Sequence, residues 1–208
     1  MAGWFWGSRT RRPGAWAWQK RAGVVLALCW PLLGQAAAYL FPGNLPSGCS
    51  GSAGNYTCGA VTLAAGDTLN IVATPTTIAF TSLNVGSASI NASGSASSLT
   101  LNVSGAFQAA NGAVVNANVS ANSVSSVGAV NYGGSLTSNG NVSLGSGSTV
   151  VGALTTNTGD VNMSTGTAVK YTTVGSIAAG GFIVMNSYNR VSGDVVGRSV
   201  TTAGNSRF

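Results

Sequence analysis

The sequence predicts an all-β chain, a single-domain β-solenoid of the right-handed parallel β-helix kind with a disulfide-stapled N-terminal cap. Three observations carry this. Apolar residues alternate with small polar ones, as Leu99, Leu101 and Val103 do in SLTLNVSG, the period-two signature of strands with one buried face. A motif returns: GNVSL at 140–144 is echoed by GDVNM at 159–163 and GFIVM at 181–185, with starts 19 and 22 residues apart. Glycine is abundant, 30 of 208 residues, and charged residues are only 6%, so no stretch offers the Ala, Leu, Glu and Lys stripe of a helix.

Residues 1–38 read as an export signal. A basic stretch (Arg9, Arg11, Arg12, Lys20, Arg21) precedes the apolar run Ala22 to Leu33 and then GQAAAY. That is the order of a secretory signal peptide, with Ala36 and Ala38 as the small pair and cleavage expected between Ala38 and Tyr39. A membrane anchor needs about 20 apolar residues, and Pro31, Gly34 and Gln35 interrupt this run. The twin arginine is followed by Pro13 and Gly14 rather than apolar residues, and Cys29 follows the bulky Leu28. Neither supports a different export class, and Cys29 is expected to leave with the peptide.

Residues 39–67 form the expected N-terminal cap. Cys49 and Cys58 are the two cysteines left after processing, separated by a loop containing Gly51, Gly54 and Asn55. In an oxidising compartment such a pair reads as a disulfide. A metal site would require His or further Cys as co-ligands, and the mature chain has neither. Closing so short a loop contributes about 2–3 kcal/mol in the chain-entropy treatment.

Residues 68–200 carry the repeats. A unit of about 19 residues with two short apolar stretches cannot bury its apolar positions alone, but copies stacked along an axis can. Aligning the three clearest units places Val142, Val161 and Ile183 at one interior position, Leu144, Met163 and Met185 at a second, and Val150, Val169 and Val191 at a third. Roughly seven coils fit this span at about 4.8 Å per layer, a rod about 30 Å long. A β-sandwich also tolerates alternation and glycine-rich turns, but gives no reason for the repeat. Residues 201–208 are a short polar tail.

Charge narrows the function. Nine Lys and Arg oppose three Asp, and the formal net charge is +6, which on its face suggests a nucleic-acid partner. Five of the nine basic residues lie in the leader, so the remainder is close to neutral, and no nucleic-acid role is expected. The chain has no His and no Glu, which removes His-based general-base catalysis and two-Glu glycosidase chemistry. The three carboxylates are Asp67, in a turn-like AAGDTL, and Asp160 and Asp194, which fall at different places in their units and are not expected on one edge. Calcium-binding repeats with recurrent Asp and phosphate-binding G-x-x-x-x-G-K loops are both missing. No catalytic residue, cofactor or metal is therefore assigned.

The opening of the mature chain, YLFPGNLPSGCSGSAGNYTCGAVTLAAGDTLNI, followed by PTTIAF and by GNVSLGSGSTVVGALTTNTGDVNMSTGTAV, resembles the N-terminal region of exported MSHA biogenesis proteins of the MshQ type. These are Gram-negative proteins associated with a type IV pilus of the mannose-sensitive haemagglutinin kind. The resemblance covers about residues 39–200, and its specific part is the paired-cysteine opening with AGDT. It implies surface or pilus association rather than a reaction. Family members are far longer and carry further C-terminal domains. The expectation is thus a non-enzymatic, exported structural or adhesive module at the cell envelope. Its partners would be envelope or pilus proteins or surface glycans, and it would meet the membrane only through the signal peptide during export. A carbohydrate-binding or polysaccharide-cleaving β-helix and a self-polymerising scaffold are the alternatives.

Overall fold

The computed structural model describes residues 35–208. The expected signal peptide therefore lies outside the described residues, apart from its last four positions. The strands run, in chain order, β1 (Ala38–Phe41), β2 (Cys49–Ser52), β3 (Asn55–Leu63), β4 (Thr68–Ile71), β5 (Thr76–Val85), β6 (Ser89–Ile90), β7 (Leu99–Ala109), β8 (Val114–Val115), β9 (Asn118–Ser126) and β10 (Asn131–Tyr132). They continue with β11 (Leu136–Ser138), β12 (Val142–Leu144), β13 (Thr149–Thr156), β14 (Val161–Met163), β15 (Thr172–Ala179), β16 (Phe182–Met185), β17 (Asn189–Val191), β18 (Val195–Val196) and β19 (Ser199–Thr202). All pairings but one are parallel, the exception being the β2–β3 hairpin. The chain is a β-solenoid of about seven turns.

Three stacks of strands form its walls. On the first, Tyr56, Ile78, Leu101, Val119, Leu136, Leu154, Ile177 and Val195 stand in register on successive coils. On the second the ladder is Val61, Leu83, Phe107, Val124, Val142, Val161, Ile183 and Val200. The third runs Leu69, Ile90, Val115, Tyr132, Val150, Val174 and Val191. These side chains build one core, except at the last coil, where Val195 is only partly buried and Val200 is exposed. Alternate residues point out, so a solvated Ser, Thr and Asn surface follows directly from the period-two pattern.

Most of the expected interior residues are buried: Val142, Leu144, Val150, Val161, Met163, Ile183, Met185 and Val191. Val169 is the correction, since it is 95% exposed. Its place opposite Val150 belongs to Val174. The segment after Met163 makes an outward excursion closed by Thr167 and Lys170, whose backbone groups bond each other (2.8 and 3.1 Å). Counting a constant distance from the leading glycine therefore lands on a loop. The second-wall ladder also shows that the period is not constant, because Val142, Val161, Ile183 and Val200 are 19, 22 and 17 residues apart.

Coils turn at corners where backbones approach closely. At Gly134, Gly152, Gly175 and Gly193, on successive coils, an added Cβ would meet backbone oxygen of the preceding coil at 2.3, 2.9, 2.6 and 2.9 Å. Only a residue without Cβ fits this column. Other corners are stitched by side chains: Asn111 Oδ1 accepts from Ala129 N (2.9 Å), Asn118 Oδ1 from Ser135 N (3.0 Å) and Asn141 Oδ1 from Asp160 N (2.9 Å). Each bond joins one coil to the next, satisfying turn amides that no strand partner reaches.

At the N-terminal end, Cys49 and Cys58 are bonded (S–S 2.02 Å). Their strands pair antiparallel with Cys49 opposite Cys58, so β2 covers the outer edge of β3 from Asn55 to Cys58. Coil stacking begins inside this cap segment, because β1 pairs in parallel with β4 and β3 with β5. At the other end the tail contributes a rung, since Arg207 bridges Arg190 in parallel.

Candidate functional site

The clearest concavity is a surface groove of about 400 Å³ along the first wall. Its outer row is Thr57, Ala79, Asn102 and Ser120, which the register places on four successive coils. Thr81 and Ser104 line it from beyond the corner. The groove spans a bulge in β7, which sets a step of four residues from Val103 to Phe107 against steps of three from Phe80 to Leu83 in β5 and from Ala121 to Val124 in β9, while β3 and β5 stay in register through the same point. A bulge bends its strand and re-aims the outward side chains.

The signal for this feature is an odd interval. The inward positions step by three residues from Cys58 to Val61, Phe80 to Leu83 and Ala121 to Val124, but by four from Val103 to Phe107. One residue more than its neighbours is the mark of a bulge.

The groove is lined by hydroxyl and amide groups, aliphatic side chains, the Phe80 ring and the disulfide residue Cys58, with more apolar than polar surface open and no ionisable side chain among its lining residues. It can exchange hydrogen bonds with a neutral polar ligand. Proton transfer is another matter, because the carboxylates stand elsewhere. Asp67, 6% exposed, accepts two backbone bonds, from Ala37 N on Oδ1 (2.6 Å) and Ala64 N on Oδ2 (2.8 Å), and so works as the turn residue expected. Asp160 Oδ1 accepts from Phe182 N on the next coil (2.8 Å), continuing the Asn141 corner. The carbonyl of Asp194 takes Ile177 N at a different corner. Arg190 aligns with Thr173 on the third wall, and the stem of Lys170 lies over Gly147. The arrangement assembles no acid and base pair from these residues.

Among the described residues no three His, Cys, Asp or Glu side chains come together as metal ligands, and no helix is long and apolar enough to cross a membrane. One ionisable group is strongly shifted. The Tyr132 hydroxyl is buried in the core without a hydrogen-bond partner. Burial pushes its pKa well above the usual tyrosine value, an effect only partly opposed by the Ser126 hydroxyl, which is itself engaged by Gly145 N (2.9 Å).

Fold and groove together define a parallel β-solenoid with a disulfide hairpin at its N-terminal end and an uncharged trough on one wall. No family model matches the chain. No curated protein and no solved structure matches it.

Proposed function

We propose that this chain is a non-enzymatic, exported structural or adhesive module of a Gram-negative cell envelope, associated with a type IV pilus of the mannose-sensitive haemagglutinin kind. The observation that carries the non-enzymatic part is the disposition of the carboxylates. Asp67 is occupied by two backbone amides and Asp160 by one, and Asp194 stands at a separate corner, while the groove has only neutral lining groups. A rigid rod with a hydroxyl and amide surface suits contact with neutral glycans or with other envelope proteins. The Cys49–Cys58 bond accords with an oxidising compartment.

Export and activity are tested together. The full chain expressed in a Gram-negative host should be found outside the cytoplasm, shortened at its N-terminus, and should release no reducing ends from a polysaccharide panel. Cytoplasmic retention at full length would overturn the envelope assignment, and turnover of any polysaccharide would overturn the non-enzymatic one.

A further inference from the structure

Four Lys and Arg occur after the leader, Lys170, Arg190, Arg198 and Arg207, and two of them, Arg190 and Arg207, meet at one corner of the last coils. Arg190 and Arg207 form a parallel bridge on adjacent rungs, continuing the outward column of Thr149 and Thr173. Adjacent rungs are about 4.8 Å apart, so two like charges stand side by side, an arrangement that destabilises a sheet. Both are exposed, as is Lys170. The carboxylates on neighbouring elements do not neutralise this column: Asp160 aligns with Phe182 and Asp194 with Ser176, on the other two walls.

The same corner carries two aromatic rings. Tyr171 and Tyr188, on consecutive coils, pack edge to face with centroids 6.0 Å apart and planes at 79°. Both are half-buried, which leaves ring surface open to solvent. Tyr188 sits at φ +58°, in the left-handed region that a bulky side chain rarely adopts. The conformation is held from both sides, by Tyr188 N donating to Gly204 O (3.3 Å) and Thr172 N donating to Tyr188 O (3.2 Å). Backbone strain of this sort gathers at ligand sites. Here it fixes a tyrosine beside an uncompensated pair of arginines.

We propose that this corner binds an acidic polysaccharide, a polyuronate that lays its ring faces on Tyr171 and Tyr188 and its carboxylates on Arg190 and Arg207. Arginine forks suit carboxylates in bidentate geometry, and aromatic faces suit sugar rings. The proposal rests on the adhesive reading above, supplies its ligand class, and places the charged contact away from the neutral groove.

The test is equilibrium binding of the full chain to immobilised polygalacturonate, with fully methyl-esterified pectin and dextran as neutral counterparts. Binding to polygalacturonate alone is expected, weakening as salt is raised. Substituting both arginines (R190S/R207S) should weaken it about tenfold or more, the loss of at least one charge-assisted pair. Tyr171→Ala should weaken it as well. Tyr188→Gly removes the left-handed cost, so it should resist urea at least as well as the parent while binding less, which separates a binding role from a folding one. Equal binding to the methyl ester, no binding to polygalacturonate at low salt, or equally tight binding to duplex DNA or phosphatidylglycerol vesicles would each overturn the proposal. An exported chain that fails here loses this site but keeps its envelope role; a chain that is never exported loses the adhesive reading itself.

Discussion

Replacing Gly175 with alanine tests the stacked-coil geometry at its tightest kind of contact. The new Cβ would lie 2.6 Å from two carbonyl oxygens of the preceding coil, those of Gly152 and Val151, so the coils must separate by several tenths of an ångström. The hydrogen bonds that hold this corner have little slack: Gly152 N to Gly134 O and Ser192 N to Val174 O are both 3.1 Å, near the long end for such bonds. Overpacking of this kind costs about 1–3 kcal/mol, and loss of one backbone bond about 1 kcal/mol more. Against this, the alanine restricts the unfolded chain, a gain of about 0.4–1 kcal/mol. The net expectation is a loss of about 2 kcal/mol, read as a fall of about 1 M in the urea midpoint for a slope near 2 kcal/mol/M. Gly59→Ala is the control, since nothing lies within 4 Å of its added Cβ and only the unfolded-state gain remains. Equal midpoints for the two variants would refute the reasoning, because they would mean that the corner glycines are not packed against the neighbouring coil.

Four further outcomes are expected. Val169→Ser should change stability by less than about 0.5 kcal/mol, whereas Val174→Ala should cost about 2 kcal/mol, a contrast in urea midpoints that checks the revised register. Tyr132 ionises above its ordinary value when folded, so above about pH 10 the unfolded chain releases a proton that the native state retains, and stability falls as pH rises. Tyr132→Phe should remove that alkaline slope, and because the hydroxyl has no partner it should not lower the midpoint at pH 7. Replacing both Cys49 and Cys58 with serine should cost about 2–3 kcal/mol, measured against the oxidised parent in the same titration. A chain beginning at Tyr39 lacks the Ala37 amide that Asp67 accepts at 2.6 Å and the Ala38 rung opposite Thr68, so it should be about 1–2 kcal/mol less stable than one beginning at Gln35.

Much of this architecture is written locally. The alternation of Leu99, Leu101 and Val103 commits the segment to a strand with one inward face whatever its neighbours do, and the GNVSL, GDVNM and GFIVM echoes mark segments that must lie above one another, as Val142, Val161 and Ile183 do. The disulfide was legible because Cys49 and Cys58 are the two cysteines that follow residue 38, only nine positions apart. The groove was half-legible, through the four-residue step from Val103 to Phe107, but that interval is odd only beside neighbouring strands that step by three, and which strands are neighbours is set by the stacking.

What the sequence by itself determined, then, is the class of fold, the inward and outward faces and the near-neutral character of the rod, all properties of spacing and composition. The tertiary structure alone decided the register. Each coil is aligned by hydrogen bonds to residues some twenty positions away, and loops absorb whatever number of residues lies between, so Val174 rather than Val169 faces Val150. By the same mechanism Arg207, in a segment that reads as a polar tail, becomes a rung beside Arg190, and Tyr171 meets Tyr188. Side-chain period is a local quantity; the stacking that sets charge on charge and ring on ring is a long-range one.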